Sequence, residues 1–378
     1  MLLPQATSRL TSVLVFAVLA QRCTAEQMGV FAIATAIASA PSALAPAVVG
    51  KPLATAAAEA RAGRTQPAQS AAVVLAVLVA AVLAVAAAAT DGLTRQALAA
   101  GAIGLPSAMV VETSYWCDVF TRGARAAGAR LAGAYAGQAV VVMAGSFWLP
   151  VPWLLLSPFV ALAVMALAAL ATRSRLSLRG AWAWCTTHRP TWLPYLMGVA
   201  GSVALVQSIP AVLTGVVGFG AASVYRAGEL AFGGTNLLIG VISQTLLTQG
   251  VGDRRGVHLR AGAAAGAVAL ANGVVLLLLP HAVLRLVLGE TADLLTQVLP
   301  AMTMQRTALA VSSVAGTILV LLLTAMRISL LQLGAAVVAL SALAVGGAVG
   351  GLDGSLLGIA AAEVVLAVVF TLVLRRRT

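Results

Sequence analysis

The chain has 378 residues, 61% of them hydrophobic and only 9% charged, with a net charge of +12. A soluble domain carries about a quarter charged residues, so this composition excludes a water-soluble globule and makes a bilayer the natural solvent. No connection between the apolar runs is long enough for a soluble catalytic domain. No G-x-x-x-x-G-K-[ST] or H-E-x-x-H stretch occurs, and Cys23, Cys117 and Cys185 have neither a CxxC nor a zinc spacing and read as small apolar filler. The expectation is a protein that is not an enzyme, binds no metal or cofactor, and does not itself supply energy from ATP.

A spanning helix needs ~20 mostly apolar residues. Twelve segments qualify in chain order: Leu2–Ala20, Gly29–Gly50, Ser70–Thr90, Leu98–Val119, Ala127–Phe147, Pro152–Thr172, Trp192–Val217, Ala222–Thr248, Ala261–Pro280, Leu294–Ala325, Ile328–Val349 and Leu356–Leu374. Their runs are continuous, not alternating, which argues against a membrane β-barrel. The first segment lacks a positive region before its apolar core and a small-residue cleavage site after it, so it reads as span one and not as a signal peptide. The expected fold class is an all-α integral membrane protein with twelve transmembrane helices.

The basic residues set the expected orientation. With the N-terminus in the cytoplasm, the even-numbered connections and the tail hold 17 Lys and Arg residues, among them Arg122, Arg125, Arg130 and Arg375–Arg377. The opposite side holds four: Arg22, Arg95, Arg226 and Arg285. This asymmetry predicts both termini in the cytoplasm and accounts for the net charge through topology and anionic membrane lipids, with no nucleic-acid partner.

A weak internal repeat divides the chain. "LPSAMVVET" (105–113) matches "LPAMTMQRT" (299–307) at an offset of 194 residues, and the same offset aligns Val30-Phe31 with Val224-Tyr225. Span four thus maps to span ten and span two to span eight. The expected lobes are 1–180 and 181–378, with Glu112 and Arg306 at equivalent places.

Charges within spans are expensive and default to functional hypotheses. On span one, Arg9 shares a face with Gln5, Ser8 and Ser12 and lies ~13 Å from Met1 at helical rise. It lines a polar cavity or snorkels to the interface. Arg306 in span ten is a headgroup ligand or half of a buried structural pair. Glu112 in span four is a proton-coupling carboxylate, an arginine partner or a satisfied polar group. Arg226 and Glu229, at i and i+3 on span eight, form an interfacial ion pair or an outer gate that touches substrate. Span eight then carries Gly233, Gly234, Asn236 and Gln244, which suit close packing or a hydrated wall. Glu363 in span twelve reads as internal to its lobe. Pro41, Pro46, Pro106, Pro210 and Pro300 are expected to kink their helices. His188, His258 and His281 sit at span edges with no acidic partner in view. With one lysine in the chain, the cations are almost all guanidinium, which pairs bidentately with phosphate, though GC-rich coding gives the same bias.

Four stretches carry a family resemblance: "TAEQMGVFAIATAIASAPSAL" after span one, "ETSYWCDVFTRGARAAGARLAGAY" across spans four and five, "SVYRAGELAFGGTNLLIGVISQTLL" in span eight and "PHAVLRLVLGE" before span ten. Together they resemble polysaccharide and O-antigen-type flippases of the multidrug/oligosaccharidyl-lipid/polysaccharide superfamily, which also holds lipid II flippases and multidrug extruders. The resemblance implies two six-helix lobes around a central cleft in the bacterial cytoplasmic membrane. It implies flipping of an undecaprenyl-pyrophosphate-linked oligosaccharide between leaflets by alternating access, and possible partnership with polysaccharide polymerase machinery. By position it implies Arg9, Arg306 and then Arg226 on the diphosphate, with Gln5, Ser12, Gln207, Asn236 and Gln244 hydrating the sugars. The alternative is a proton- or sodium-coupled small-molecule exporter. "GVGDRRG" (250–256) mimics a major-facilitator loop, but its counterpart after span two lacks the Asp-Arg pair. The extruder branch carries a span-one carboxylate that is absent here.

Overall fold

The computed structural model describes residues 2–55, 58–171, 176–249, 257–323 and 325–375. These form helices α1 (Leu2–Ala20), α2 (Ala25–Ala45), α3 (Lys51–Thr55), α4 (Ala58–Ala88), α5 (Gly92–Arg122), α6 (Ala124–Gly145), α7 (Val151–Ala171), α8 (Leu178–Val216), α9 (Phe219–Ala231), α10 (Gly233–Gln249), α11 (Val257–Leu278), α12 (His281–Leu288), α13 (Thr291–Leu322) and α14 (Ala325–Arg375), with a π-helical turn at Pro46–Gly50. There is no strand among the described residues. Each of the twelve expected spans falls on helix, but α4 starts 12 residues before the expected span three and α8 starts 14 residues before the expected span seven. Span two is α2 plus the π turn, span eight is α9 plus α10, and spans eleven and twelve are the two halves of α14. The major-facilitator mimic at 250–256 lies outside the described residues.

Polarity is inverted relative to a soluble protein. Val85 and Val349 are 71% and 87% exposed, while Arg306 is 4% exposed. Many large apolar side chains face outward while Glu112, Arg306 and Glu363 are buried, as a hydrocarbon solvent favours.

The chain divides into two compact units, Met1–Val199 and Ala200–Thr378. In the first, α5 is the hub and packs against α2, α4, α6 and α7. Its inner face buries Leu105, Met109, Val110, Glu112 and Thr113. In the second, α13 is the hub and packs against α9, α10, α11, α12 and α14, burying Leu299, Met302 and Arg306. The two hubs are the pair that the repeat aligns, and Pro106 and Pro300 occupy equivalent places in them. Of the expected kinks, the visible departure from α geometry is at Pro46, which opens the π turn. Pro41, Pro106 and Pro300 remain inside continuous helices.

Within the first unit the connections sort by end. Thr24 and Gln27 form a capping box that starts α2, and the adjacent Arg22 donates to the Ser146 carbonyl after α6. Connections one and five therefore meet. At the other end the Ser177 amide, in connection six, donates to Ser70 Oγ near the start of span three, and Trp184 Nε1 donates to the Val48 carbonyl at the end of span two. Odd and even connections thus collect at opposite ends, as alternating spans demand. Burial pushes the Cys23 thiol up to about 11 against the opposing effect of Arg22, so Cys23 is protonated at neutral pH and behaves as core filler.

The halves of α14 reverse at Gly350 and Gly351, and Gly351 takes φ +59, a conformation that costs glycine little. The halves then pack backbone to backbone. A Cβ on Gly354 would lie 2.1 Å from the Gly346 carbonyl oxygen, and one on Gly358 2.2 Å from that of Ala342. Small residues at i and i+4 permit such approach between helices in lipid. Gly358→Val is expected to force the halves apart and cost at least ~1–3 kcal/mol, seen as an earlier loss of monodisperse elution on heating the detergent-solubilised chain. Gly334→Ala on the same helix meets open space and serves as the neutral control.

Candidate functional site

Span eight is not one continuous helix. At Phe232 the backbone leaves helical geometry (φ −88, ψ 11) and α10 restarts at Gly233. The Gly233-Gly234 pair offers little resistance to such a break. A broken helix at membrane depth must have its freed backbone groups satisfied. Asn272 of α11 does this, placing Nδ2 3.3 Å from the Ala231 carbonyl and 3.1 Å from Thr235 Oγ1. Asn272→Leu leaves that carbonyl short of a donor and is expected to cost ~1–3 kcal/mol, read as reduced thermal stability with a normal amount of protein in the membrane.

The first half, α9, carries the charges. Gly218 (φ +123) starts it, and the i,i+3 spacing brings Arg226 Nη1 to 2.9 Å from Glu229 Oε2. Gly228 lies against Met302, since a Cβ there would meet Met302 Cε at 2.0 Å. This approach of α9 to α13 brings Arg306 Nη2 to 3.8 Å from Glu229 Oε1. The guanidinium of Arg306 stands over the Tyr225 ring, 5.0 Å from its centroid.

One carboxylate therefore stands between two arginines, with Arg306 buried and Arg226 and Glu229 partly exposed, and the buried Glu363 carboxylate lies close enough to act electrostatically on the same Tyr225. Arg306 is 4% exposed, and its Nε and Nη2, like Arg226 Nε, have no hydrogen-bond partner among the described residues. Buried donors on a charged group without acceptors are costly. The chemistry that relieves the deficit is an anion with several oxygens, for which guanidinium is the matching donor.

The other expected site residues are spread along other helices. Glu112, buried on α5, accepts a 2.8 Å hydrogen bond from the Tyr135 hydroxyl of α6. Of the three readings for Glu112, its direct partner is thus a phenol and not an arginine. Ser12 donates to the Ser8 carbonyl of its own helix at 2.9 Å. Arg9 projects from α1 with its side chain exposed. Gln207 on α8 and Asn236 on α10 are half-buried. The side chains of Gln5 and Gln244 lie outside the described residues. Glu363 is 3% exposed and accepts from Ser312 of α13, which keeps it inside its own unit as expected. The histidine reading needs correction. His281 Nε2 lies 2.8 Å from Asp293 Oδ1, because α12 folds back to bring the start of α13 beside its own.

Sequence reasoning missed Tyr225, Tyr135 and Asn272. A lone amide in an otherwise apolar span nine was the available signal for Asn272. The aromatic partners had none, because a tyrosine in a span reads equally well as core.

The fold is a multi-pass, all-helical bundle with apolar helices long enough to cross a membrane. No protein-family model matches the chain, and no curated protein matches it in sequence. Solved structures do match. A lipid II flippase, MurJ, in an inward closed conformation superposes with a TM-score of 0.70 at 12% identity, over 99% of this chain and 88% of that one. An inward-facing multidrug resistance MATE family transporter of the MOP superfamily gives 0.56 at 14%, over 99% and 94%. MATE in complex with MaD3S gives 0.51 at 14%, over 99% and 93%. At these identities the likeness is one of fold, and it is to transporters and flippases, not enzymes.

Proposed function

We propose that the chain flips an undecaprenyl-pyrophosphate-linked oligosaccharide from the inner to the outer leaflet of a bacterial cytoplasmic membrane by alternating access. The observation that carries this reading is the Arg226–Glu229–Arg306 cluster, in which two arginines share one carboxylate and three guanidinium nitrogens are short of acceptors. A diphosphate supplies oxygens in the number and geometry that two guanidiniums lack. The higher fold similarity to a lipid II flippase than to the extruders adds support. Arg226 and Arg306 then engage the diphosphate, with Glu229 holding them until it arrives. Arg9 and the amides Gln5, Gln207, Asn236 and Gln244, with Ser12, meet the headgroup and sugars, while the prenyl tail stays in lipid. The sequence-based link to polymerase machinery stands on resemblance alone.

The test is made in cells lacking the gene. Lipid-linked oligosaccharides are extracted after treatment with a membrane-impermeant glycan-modifying reagent. Accumulation of protected, inner-leaflet material that the intact gene reverses is the expected result. Unchanged distribution with unchanged surface glycan overturns the reading.

A second reading is a cation-coupled small-molecule exporter of the extruder type. It is favoured by Glu112, a buried carboxylate whose neighbour is the neutral Tyr135, a setting suited to proton exchange. Normal lipid distribution together with Glu112-dependent dye efflux would select it.

A further inference from the structure

The first unit contains a charged cavity that the proposed transport step does not use. It opens between α5, α6 and α7 with a volume of about 370 Å³, inside the ~300–1,000 Å³ range of small-molecule pockets. One end carries Asp118, Arg122 and Arg130. Away from that end the walls are mostly apolar, with Val111, Leu131 and Met165, and with Ser114 and Tyr115 between them and Asp118 on α5. From Arg122 to Val111 the α5 backbone rises ~16 Å, so the cavity grades from charged to greasy over about the depth of one leaflet.

Asp118 organises the charged end. It is 5% exposed, and its two oxygens divide between the arginines: Oδ2 lies 3.3 Å from Arg130 Nη1 and Oδ1 3.7 Å from Arg122 Nε. A near-buried carboxylate thus fixes two half-exposed guanidiniums at the rim. Each arginine offers further N–H donors beyond the nitrogen that faces Asp118. The start of α6 lies at the same end, and its dipole adds positive potential. On the outer faces of α6 and α7, Val141, Val164 and Leu167 are exposed, so these helices present hydrocarbon-facing surface beside the cavity.

The geometry points to a binding site for an anionic phospholipid: its phosphate held by Arg122 and Arg130, and an acyl chain laid into the apolar depth against Leu131 and Met165. Charge complementarity selects an anion, and the graded walls select an amphiphile over a free ion. Basic pockets between spanning helices commonly take such headgroups. The two arginines belong to the connection that the charge asymmetry places in the cytoplasm, where anionic lipid is enriched. Asp118 is a positioning residue here, since it touches the arginines and not the phosphate. The site is independent of which substrate is transported.

The test uses the purified full chain in neutral detergent, with retained lipid counted by native mass spectrometry. At equal mole fraction, phosphatidylglycerol is expected to be retained about tenfold over phosphatidylethanolamine, one charge-assisted contact's worth of preference. Arg122→Gln/Arg130→Gln is expected to reduce this to within about twofold, while Arg95→Gln leaves it intact. A wild-type preference below about twofold overturns the proposal without any variant, so a double variant that fails to fold does not shield it. Retention of the full preference by the folded double variant also overturns it. Inorganic phosphate that displaces phosphatidylglycerol at equimolar concentration would reassign the site to a free anion and overturn the lipid assignment.

Discussion

Glu229→Ala is expected to destabilise the C-terminal unit more than any other single change in its charge cluster, by about 3–5 kcal/mol. Glu229 faces Arg226 at 2.9 Å and Arg306 at 3.8 Å. Removing it leaves the buried Arg306 and the partly buried Arg226 without the carboxylate that both face, and each already has an unbonded nitrogen. Arg226→Ala is milder, because Glu229 then keeps Arg306 and the cluster becomes neutral. Glu229→Gln separates charge from volume. It fills the same space, and a loss close to that of alanine assigns the effect to electrostatics. Thermal denaturation of the solubilised chain, followed by size-exclusion elution, ranks the three. A melting temperature for Glu229→Ala equal to that of Arg226→Ala contradicts the bridging role.

The sequence made the spans legible because a bilayer imposes a length on every one of them, and the twelve apolar runs needed no tertiary information to be found. The exception is instructive. Span eight reads as one uninterrupted helix, yet it breaks at Phe232. Gly233 and Gly234 permit the break but do not dictate it. It is stabilised from α11 by Asn272, a residue whose relevance depends on packing between helices. The candidate site divides along the same line. The i,i+3 spacing put Arg226 and Glu229 on one face in advance. That Arg306 joins them follows from the approach of α9 to α13 over Gly228 and Met302, which no local spacing encodes. Glu112 shows the converse. Its place deep in span four was evident, but its partner was not, because Tyr135 lies on the next span and polar ends of aromatic residues leave no periodic mark.

Arg306→Met separates function from stability in the same cluster. Methionine approximates the length of the arginine stem and brings no charge. After the change, Glu229 retains Arg226, so the site holds one neutral pair and loses the two unbonded Arg306 donors. Replacing imperfectly paired buried charge by apolar volume is often neutral or favourable, and the melting temperature is expected to stay within the equivalent of ~1 kcal/mol of wild type. Under the proposed function, translocation is expected to fall at least ~30-fold, the effect of a lost 2 kcal/mol or more of charge-assisted bonding to the proposed diphosphate. Arg306→Lys keeps the charge but loses the planar fork, so its activity lies between the two. The leaflet distribution of lipid-linked oligosaccharide, in cells that express each variant at equal membrane abundance, gives the order. If Arg306→Met proves stable and transports at the wild-type rate, the arginine cluster is structural, and the anion must be received elsewhere in the chain, with Arg9 on α1 the next residue to replace.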